Sequence, residues 1–407
     1  MRKPELLIPA GNLEKMRTAI LYGADAVYTG VEGLSLRTGS AEMTIEDLAQ
    51  GANEAHAKGV KIYAAVNTFA RNADLEQAKI IIPQLADIGI DAVIVSEPGM
   101  MKLSKNTAPQ LPIHLSTQAN TTNIEAVRFW HDQGVRRIIL ARELNLKEAG
   151  EIAKAVPEME LEIFIHGAMC MAYSGRCYLS AFRNRRSANE GDCSQPCRWE
   201  YLLQESTRPN DPLILEEDEH YSYLLSSKDL CLIEYLPEVL ASGVTGLKVE
   251  GRMKSTYYVA VVTRTYRQAL DALFRQKEKY KCRQEWIDEL TKISNRGYTT
   301  GFAFAEEMIT ETNPEIKYIQ THEPAGTVID YDTKQKRILL DVKNRVKVDD
   351  CLEILLPEEI IALEITSMFD RNGNLISEAH SGSEIYLPFE RKVPKGVLAR
   401  QVINNIS

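Results

Sequence analysis

The stretch from Gly89 to Val95 reads Gly-Ile-Asp-Ala-Val-Ile-Val, and the prediction of the fold starts from it. The helical periodicity of Leu75–Ile88 ends directly before Gly89, and an apolar run follows at Ala92–Val95. Glycine is favoured just past the last turn of a helix, because it adopts left-handed backbone angles without steric cost. A continuous apolar run is typical of a strand that is buried on both faces. The stretch therefore predicts a helix, a tight turn and a parallel strand.

The same unit recurs along the first 250 residues, where Gly23, Gly59 and Gly134 also separate a helical pattern from a strand pattern. The predicted strands are Glu5–Pro9, Ala26–Thr29, Lys61–Val66, Ala92–Val95, Ile113–Ser116, Arg137–Ala141, Glu162–His166 and Thr245–Val249. Eight strands that alternate with helices predict a (β/α)8 barrel of the TIM type. An open doubly wound sheet is the alternative, and it is disfavoured because no G-x-G-x-x-G motif follows the first strand.

A long insert and a second domain complete the predicted architecture. The seventh and eighth strands are separated by residues 167–244, and a barrel accommodates such an insert on a βα loop at its functional, C-terminal face. We expect a β-ribbon within the insert, at Trp199–Gln204 and Tyr221–Leu225. From about Lys317 short strand patterns alternate with turn residues. The predicted domains are a barrel at residues 1–315 and a small all-β barrel at residues 316–407.

Composition and local sequence patterns argue against a membrane-spanning protein, a secreted protein and a non-specific nucleic-acid-binding protein. The chain has 407 residues, 44% of them hydrophobic and 26% charged, with a net charge of −9. It contains no apolar run of the roughly 18 residues that a membrane span needs, and its amino terminus lacks a secretory pattern. We expect a cytoplasmic protein without disulfides or a membrane partner. An acidic chain does not coat nucleic acid non-specifically, although a local basic patch still permits RNA binding.

Cysteine spacing gives the strongest chemical signal, since five of the seven cysteines lie within residues 170–231. Cys170 and Cys177 have C-x6-C spacing, Cys193 and Cys197 have C-x3-C spacing, and Cys231 follows. Four thiolates are the usual ligand set of both structural zinc and iron–sulfur clusters. The C-x6-C pair is too wide for a zinc knuckle, so the pattern favours a cluster. The alternative is a set of unlinked buried thiols.

Polar residues follow the predicted strands where they end, and in a barrel these ends converge on one mouth. We predict that Arg142, Glu143, His166, Glu250 and Arg252 are catalytic and that Asn67, Gln118 and Lys254 bind substrate. Arginine and lysine at this position suit a carboxylate or a phosphate. The alternative for any single residue is a solvated loop position or a salt-bridge partner.

A basic segment of the insert is interleaved with aromatic residues. The arginines are Arg176, Arg183, Arg185, Arg186 and Arg198, and the aromatic residues are Tyr173, Tyr178, Phe182 and Trp199. Such a mixture suits unpaired RNA, because arginine pairs with phosphate and aromatic rings stack on bases. A solvated loop is the alternative. The sequence contains no H-E-x-x-H, G-x-S-x-G or P-loop motif that would indicate a metalloprotease, a serine hydrolase or a nucleotide-binding protein.

Blocks spread over nearly the whole chain resemble the U32 "peptidase" family. They are residues 7–11 (LIPAG), 23–28 (GADAVY), 116–118 (STQ), 162–170 (EIFIHGAMC), 174–180 (SGRCYLS), 227–231 (SKDLC), 248–254 (KVEGRMK) and 296–302 (RGYTTGF). The nearest resemblance is to the branch that forms 5-hydroxyuridine at the wobble position of tRNA. The resemblance implies a TIM-like barrel, with the β-rich C-terminal domain found in many members.

The resemblance also implies a cofactor, a co-substrate and partners. It implies a [4Fe–4S] cluster on Cys170, Cys177, Cys193 and Cys231, which leaves Cys197 as a spare thiol. It implies prephenate as a co-substrate, tRNA as the substrate and, in some members, a paralogous U32 subunit as a partner. Two alternatives stay open: a peptidase or collagenase, as the family name suggests, and an RNA-binding or scaffold subunit of a two-protein modification complex.

Overall fold

A computed structural model describes residues 3–35, 42–170, 172–190, 192–198, 227–304 and 318–403. Eight parallel strands within these residues form a closed barrel, in the order β1, β2, β4, β5, β6, β7, β8 and β10, and β10 pairs with both β8 and β1. Their bounds are β1 Glu5–Pro9, β2 Ala26–Val31, β4 Lys61–Ala65, β5 Ala92–Val95, β6 Ile113–Leu115, β7 Arg137–Ile139, β8 Glu160–Ala168 and β10 Gly246–Val249. A two-residue strand, β3 (Glu42–Met43), pairs with β2. The predicted TIM-like barrel and its eight strands are confirmed.

Amphipathic helices surround the barrel and begin at side-chain caps. Asn12, Thr44 and Asn145 each accept a backbone N–H from the first turn of the helix that they precede, which satisfies a donor with no partner inside the helix. The helices of this first domain are α1 Leu13–Leu21, α2 Ile45–His56, α3 Asn72–Asp87, α4 Pro98–Thr107, α5 Ile124–Asp132, α6 Leu146–Ala155, α7 Leu179–Asn184, α8 Leu236–Ala241, α9 Thr256–Gln276 and α10 Gln284–Thr291. None of the helices in these ranges is long and apolar enough to cross a bilayer.

The predicted insert extends the sheet beside β8. Strand β9 (Asp229–Cys231) runs antiparallel to β8, and β11 (Tyr298–Thr299) runs parallel to β9. Helix α7 and three short 3-10 turns at Tyr173–Gly175, Ala188–Glu190 and Pro196–Arg198 lie between β8 and β9. The predicted β-ribbon and the predicted domain boundary at residues 315/316 lie outside the described residues. The insert therefore places its cysteine-bearing segments beside the end of β8.

The second domain is an antiparallel all-β domain, as predicted. Its larger sheet has the order β16, β15, β21, β12, β13, β20, β17, β18, and β14 pairs with β19. The bounds are β12 His322–Asp332, β13 Arg337–Val342, β14 Val346–Lys347, β15 Cys351–Leu355, β16 Ile360–Glu364, β17 Met368–Phe369, β18 Leu375–Ile376, β19 Glu378–Ala379, β20 Glu384–Pro388 and β21 Leu398–Val402. A hairpin turn at residues 370–374 joins β17 to β18, with the Asp370 amide donating to the Asn374 carbonyl across 2.9 Å.

Buried polar contacts join the two domains. The Tyr22 hydroxyl on α1 donates to the Leu355 carbonyl across 2.7 Å and accepts the Leu398 amide at 3.1 Å. Arg400 on β21 is fully buried and forms ion pairs with Glu289 on α10 and Glu353 on β15. Because an unpaired buried charge is costly, these pairs fix β21 against the barrel helices.

Candidate active site at the barrel mouth

A cavity of about 300 Å³ opens at the C-terminal ends of the barrel strands. The residues that follow β4, β6, β7 and β10 line one side of it, and the insert covers the other side. Its lining includes Tyr28, Asn67, Ser116, Thr117, Gln118, Arg142, Phe164, Cys170, Cys177, Leu179, Cys193, Cys197, Lys248, Glu250 and Arg252. Polar side chains at the strand ends therefore converge on one cavity, as the sequence predicts for a barrel mouth.

An ionic network inside the barrel forms the base of this cavity. Lys248 is 5% exposed, and its Nζ lies 3.0 Å from Glu162 Oε1 and 4.1 Å from the centre of the Tyr28 ring. The fully buried Glu162 also accepts a hydrogen bond from Arg137 Nη1, at 3.2 Å. Burial lowers the pKa of Lys248, and the Glu162 carboxylate opposes that effect. The Glu162 carboxylate thus holds the Lys248 ammonium group at the base of the cavity. Arg137 and Lys248 together fix the orientation of that carboxylate.

Arg142 forms part of the cavity wall and contacts three different groups. Its Nη2 lies 3.5 Å from Glu250 Oε2, its Nη1 lies 3.5 Å from Cys170 Sγ, and its guanidinium carbon lies 4.2 Å from the centre of the Phe164 ring. Within the described residues, the buried Nε of Arg142 has no hydrogen-bond acceptor. A buried donor without an acceptor lowers the free energy of unfolding. The Nε of Arg142 is therefore suited to donate a hydrogen bond to an acceptor atom of a bound ligand.

Hydrogen bonds also order the remaining polar lining. Asn67 Nδ2 donates to Gln118 Oε1 across 3.2 Å, and the Ser116 hydroxyl donates to the same oxygen. Arg252 is 6% exposed, and its Nη1 donates to the Ser35 hydroxyl across 3.3 Å. Lys254 lies outside the cavity lining, and its Nζ donates to the Ser294 carbonyl across 3.2 Å. The structure therefore brings Asn67, Gln118 and Arg252 to the cavity and places Lys254 beyond it.

Four thiols share the cavity, namely those of Cys170, Cys177, Cys193 and Cys197. Three of these sulfurs accept an N–H: Cys170 from Arg142, Cys177 from the Leu179 amide at 3.4 Å, and Cys193 from the Gln195 amide at 3.4 Å. N–H donors directed at sulfur are a feature of iron–sulfur sites, where they tune the potential of the cluster. No three His, Cys, Asp or Glu side chains of the described ranges are arranged to hold a single metal ion. A four-iron cluster has a different requirement, because each thiolate binds an iron of its own.

Cys231 lies away from the cavity lining. It is on β9, paired in register with His166 on β8, and its sulfur lies 3.7 Å from the Tyr266 hydroxyl. Burial raises the pKa of this thiol to about 11. Cys197, the spare thiol of the predicted set, therefore lines the same cavity as the first three cysteines, whereas Cys231, the ligand implied by the resemblance, lies on the strand next to β8 and outside the lining.

His166 does not reach the cavity, because the pairing between β8 and β10 is irregular just before it. Lys248 pairs with Phe164 and Val249 pairs with His166, so Ile165 is the extra residue of a bulge. A bulge changes the alternation of side chains along a strand. His166 is 1% exposed among the rings of Tyr258, Tyr266 and Tyr298, and burial lowers its pKa to about 3.

Glu143 also lies outside the cavity lining, and it holds the insert in place. Its two carboxylate oxygens accept the Ser174 amide at 2.6 Å and the Ser174 hydroxyl at 2.9 Å. Ser174 has a φ of 47°, a left-handed conformation that is unfavourable for residues other than glycine. The contacts of Glu143 stabilise this turn, which lies between Cys170 and Cys177.

The predicted RNA-binding arginines lie on the insert beside the cavity. The Nε of Arg176 donates to the Gln118 carbonyl across 2.7 Å, and its guanidinium lies 5.4 Å from the centre of the Phe69 ring. Arg183 and Arg185 are exposed, and Arg186 is exposed and paired with Asp192. The side chain of Arg198 and all of Trp199 lie outside the part of the chain that the structure describes. Exposed arginines therefore lie next to the cavity, as the sequence predicts.

The sequence places Lys248 among the polar residues at the strand ends, but it does not select Glu162 and Tyr28, which contact Lys248, as functional. Lys248, Glu162 and Tyr28 all occupy strands, and two of them form the ion pair at the base of the cavity. A signal for Glu162 exists in the sequence, since a glutamate begins the otherwise apolar run Glu162–Ile165 in a predicted buried strand. Charged residues are almost never fully buried unless they are paired, so this position indicates an internal ion pair.

Comparison with known proteins gives matches over nearly the whole chain. The profile described as "Peptidase family U32" matches residues 11–313, and that described as "Peptidase family U32 C-terminal domain" matches residues 320–400. The chain is 38% identical to "tRNA hydroxylation protein P1" of Bacillus subtilis, over 94% of this chain and 91% of that protein. It is 37% identical to "tRNA hydroxylation protein P" of Escherichia coli, over 95% and 94% of the two chains. It is 34% identical to the "23S rRNA 5-hydroxycytidine C2501 synthase" of Escherichia coli, over 89% of this chain and 54% of that longer protein.

Proposed function

The chain belongs to peptidase family U32, and we propose that it is an RNA-modifying hydroxylase that forms 5-hydroxyuridine at the wobble position of tRNA in the barrel-mouth cavity. The observation that carries the proposal is the composition of the cavity, where four thiols meet a set of buried cations. Two relatives of nearly the same length are named as tRNA hydroxylation proteins, and a third is named as an rRNA hydroxycytidine synthase. These names agree on the hydroxylation of RNA, and the third name specifies a pyrimidine as the base.

The proposed cofactor is a [4Fe–4S] cluster held by Cys170, Cys177 and Cys193 with a fourth thiolate. The N–H donors at all three sulfurs fit this role, because they stabilise the negative charge of a coordinated thiolate. The resemblance to the family implies Cys231 as the fourth ligand, and the cavity offers Cys197 in its place. When bound, such a cluster supplies one-electron transfer or an open iron site at the mouth of the barrel.

The cations of the cavity suit a co-substrate with carboxylate groups, for which we propose prephenate. Lys248 at the base and Arg142 and Arg252 on the wall all line the cavity and are all largely buried. Charge-assisted hydrogen bonds from arginine to carboxylate are among the stronger contacts in proteins. The buried Nε of Arg142, which lacks an acceptor in the described structure, would gain one from a carboxylate oxygen.

The exposed insert is the proposed contact surface for tRNA. Arg183, Arg185 and Arg186 are exposed beside the cavity, and Arg176 is fixed against the strand-end residue Gln118. An anticodon loop presents unpaired bases, and an enzyme can take one of them into a pocket while the phosphates stay on a basic rim. The uridine that is to be modified would thus enter the cavity, and the adjacent nucleotides of the loop would lie on the insert.

The geometry at Ser116 and Thr117 does not support peptide hydrolysis with either hydroxyl as the nucleophile. The hydroxyl of Ser116 is bonded to Gln118, and that of Thr117 donates to the Leu140 carbonyl across 3.0 Å. A nucleophilic hydroxyl needs a neighbouring base such as histidine to remove its proton. In the described structure, these two hydroxyls donate to an amide oxygen and to a backbone carbonyl, neither of which can remove a proton as a base does.

The proposal can be tested with purified, cluster-reconstituted protein, unmodified tRNA transcript, prephenate and an artificial electron acceptor under anaerobic conditions, with nucleoside mass spectrometry as the readout. The acceptor is included because replacing the C5 hydrogen of uridine by a hydroxyl group removes two electrons from the base. We expect a uridine that is one oxygen atom heavier, at the wobble position only. A variant with Arg142→Gln should form product roughly ten- to a hundredfold less efficiently, whereas Arg136→Gln serves as a matched control. Arg136 lies at the opposite end of β7, and its side chain is 65% exposed. Cleavage of peptides by the wild-type protein, with no change in the RNA, would contradict the proposal.

A further inference from the structure

The outer face of helix α7 carries two exposed aromatic rings beside the cavity. Tyr178 is 82% exposed and Phe182 is 83% exposed, although large apolar side chains usually avoid such exposure. The Phe182 amide donates to the Tyr178 carbonyl across 2.8 Å, which is a helical i+4 hydrogen bond. Residues four positions apart lie one above the other on the same face of a helix. Tyr178 is the N-cap residue of α7 and Phe182 lies one turn further along the helix, and we call these two exposed side chains the aromatic surface.

The inner face of the same helix is fixed to the rest of the insert. Ser180 is fully buried, and its hydroxyl lies 3.0 Å from the Ser194 hydroxyl and accepts the Ser194 amide at 3.0 Å. Leu179 and Cys177 line the cavity, on either side of Tyr178 in the sequence. The aromatic surface is thus held at the rim of the cavity by contacts that do not involve its own rings.

The charge around this surface indicates what it binds. Residues 172–192 contain four arginines, namely Arg176, Arg183, Arg185 and Arg186, no lysine, and two acidic residues at the end of the segment, Glu190 and Asp192, of which Asp192 pairs with Arg186. This local excess of positive charge stands in a chain whose net charge is −9. Arginine interspersed with exposed aromatic rings matches a polyanion that carries flat bases, and it does not match the mixed charge of an ordinary protein surface.

We propose that Tyr178 and Phe182 form a stacking surface for unpaired bases of an RNA loop, which holds the nucleotides next to the modified uridine at the rim of the cavity. This inference rests on the proposed function and names the state of the RNA that is recognised, namely an unpaired loop. The arginines of the segment contact the phosphates, and the two rings contact the bases. Stacking tolerates changes of base identity because every base has a π-face.

The test is the binding of a fluorescently labelled anticodon stem-loop RNA, measured by anisotropy over a range of salt concentrations. The double variant Tyr178→Leu/Phe182→Leu keeps apolar side chains and removes both rings. We expect its affinity to fall at least roughly thirtyfold, since each of the two rings that are removed contributes about 1–3 kcal/mol by stacking on a base. The slope of affinity against salt should stay unchanged, because no phosphate contact is removed. The variant Tyr178→Phe/Phe182→Tyr should bind within about twofold of the wild type, since both stacking rings remain.

A matched control is Phe129→Leu, which removes an aromatic ring that is 54% exposed on α5. This variant should bind the loop with the affinity of the wild type. All variants should also bind a fully base-paired RNA of the same length with the affinity that the wild type has for it. Wild-type affinity of the double leucine variant for the loop would overturn the inference and leave the proposed hydroxylation intact. Failure of the wild-type protein to bind or modify any RNA would instead contradict the proposed function itself. Loss of self-association by the leucine variant in sedimentation velocity, with RNA binding retained, would assign the surface to a protein interface and overturn the inference.

Discussion

Arg142 and Cys170 are in contact across the cavity wall, with Nη1 of the arginine 3.5 Å from the sulfur. The two residues come from different elements, since Arg142 follows β7 and Cys170 follows β8. The same guanidinium pairs with Glu250 after β10. One arginine therefore connects the thiol-bearing insert to the strand ends that carry the polar residues of the cavity.

We predict that Arg142→Gln lowers kcat/KM for the co-substrate without unfolding the protein. A charge-assisted hydrogen bond in a buried site contributes about 1.5–3 kcal/mol, so we expect a loss of roughly ten- to a hundredfold. Steady-state kinetics with varied co-substrate concentration measures the effect, and the same assay on Arg136→Gln gives the control. Equal kinetic parameters for Arg142→Gln and the wild type would remove the arginine from the active site.

Substitution of the cavity cysteines should remove iron. We expect Cys170→Ser, Cys177→Ser and Cys193→Ser each to lose bound iron, the visible absorbance of the cluster and RNA hydroxylation, because serine is a poor ligand for this type of cluster. Iron analysis of protein reconstituted under anaerobic conditions measures the loss. The control is Cys351→Ser, since Cys351 is exposed on β15 of the second domain.

The same iron analysis on Cys197→Ser and Cys231→Ser identifies the fourth ligand. Loss of iron in the Cys231 variant alone would support the set implied by the family, and loss in the Cys197 variant alone would support the set that lines the cavity. Full iron content in Cys170→Ser, Cys177→Ser and Cys193→Ser would contradict the cluster altogether.

The stability of the protein should decrease below neutral pH, in part because of His114 inside the barrel. Burial, together with nearby Arg137 and Lys248, holds the pKa of His114 well below its usual value. Below the unfolded-state pKa of about 6.5 the unfolded chain binds a proton that the folded chain does not. The contribution of this residue to unfolding free energy therefore falls with decreasing pH, by about 1.4 kcal/mol per pH unit, until the pH reaches the lowered folded pKa.

Urea denaturation of the wild type and of His114→Gln from pH 7.5 to pH 5 measures this term. We expect the unfolding free energy of the variant to depend less steeply on pH. The difference in slope should correspond to about one bound proton, which is about 1.4 kcal/mol per pH unit. The comparison removes the effect of carboxylates that both proteins share. Equal slopes for the two proteins would show that His114 titrates normally in the folded state.

The contact between the two domains should contribute strongly to stability through Arg400. Arg400→Met removes the buried cation from Glu289 and Glu353 and leaves them only Lys292, so we expect a loss near the lower end of the about 3–5 kcal/mol that breaking a buried pair costs. Chemical denaturation measures this loss. The matched control is Arg371→Met, which breaks an exposed pair with Glu384 in the same domain and should cost about 0–1 kcal/mol. Similar losses in the two variants would mean that the interface depends on other contacts, such as that of Tyr22.

Local sequence patterns predict the barrel well because its strands have distinctive surroundings. The strands are buried on both faces and read as apolar runs, and the glycines that end the preceding helices have positive φ, as at Gly89 with 81°. Strand β21 was not predicted, although it lies between β12 and β15. Its central residue is Arg400, which reads as a surface residue until its two glutamate partners on other elements are known.

The site was predicted only in part, because two of its determinants are not local. The bulge at Ile165 arises from pairing between β8 and β10, and it separates His166 from the cavity although a regular strand would direct residues 162, 164 and 166 to one face. The positions of Cys197 and Cys231 depend on how the insert folds back on the barrel, which spacing along the chain does not determine. The strand-end residues Asn67, Gln118, Arg142, Glu250 and Arg252 were predicted because the barrel itself fixes where they meet.

The most direct test of the central claim is nucleoside mass spectrometry of tRNA from a bacterial host whose own 5-hydroxyuridine pathway has been deleted. We predict that expression of this chain restores 5-hydroxyuridine at the wobble position, and that expression of Cys170→Ser to the same level does not. Absence of the modified nucleoside with the wild-type chain, or equal amounts with the Cys170→Ser variant, would contradict the account.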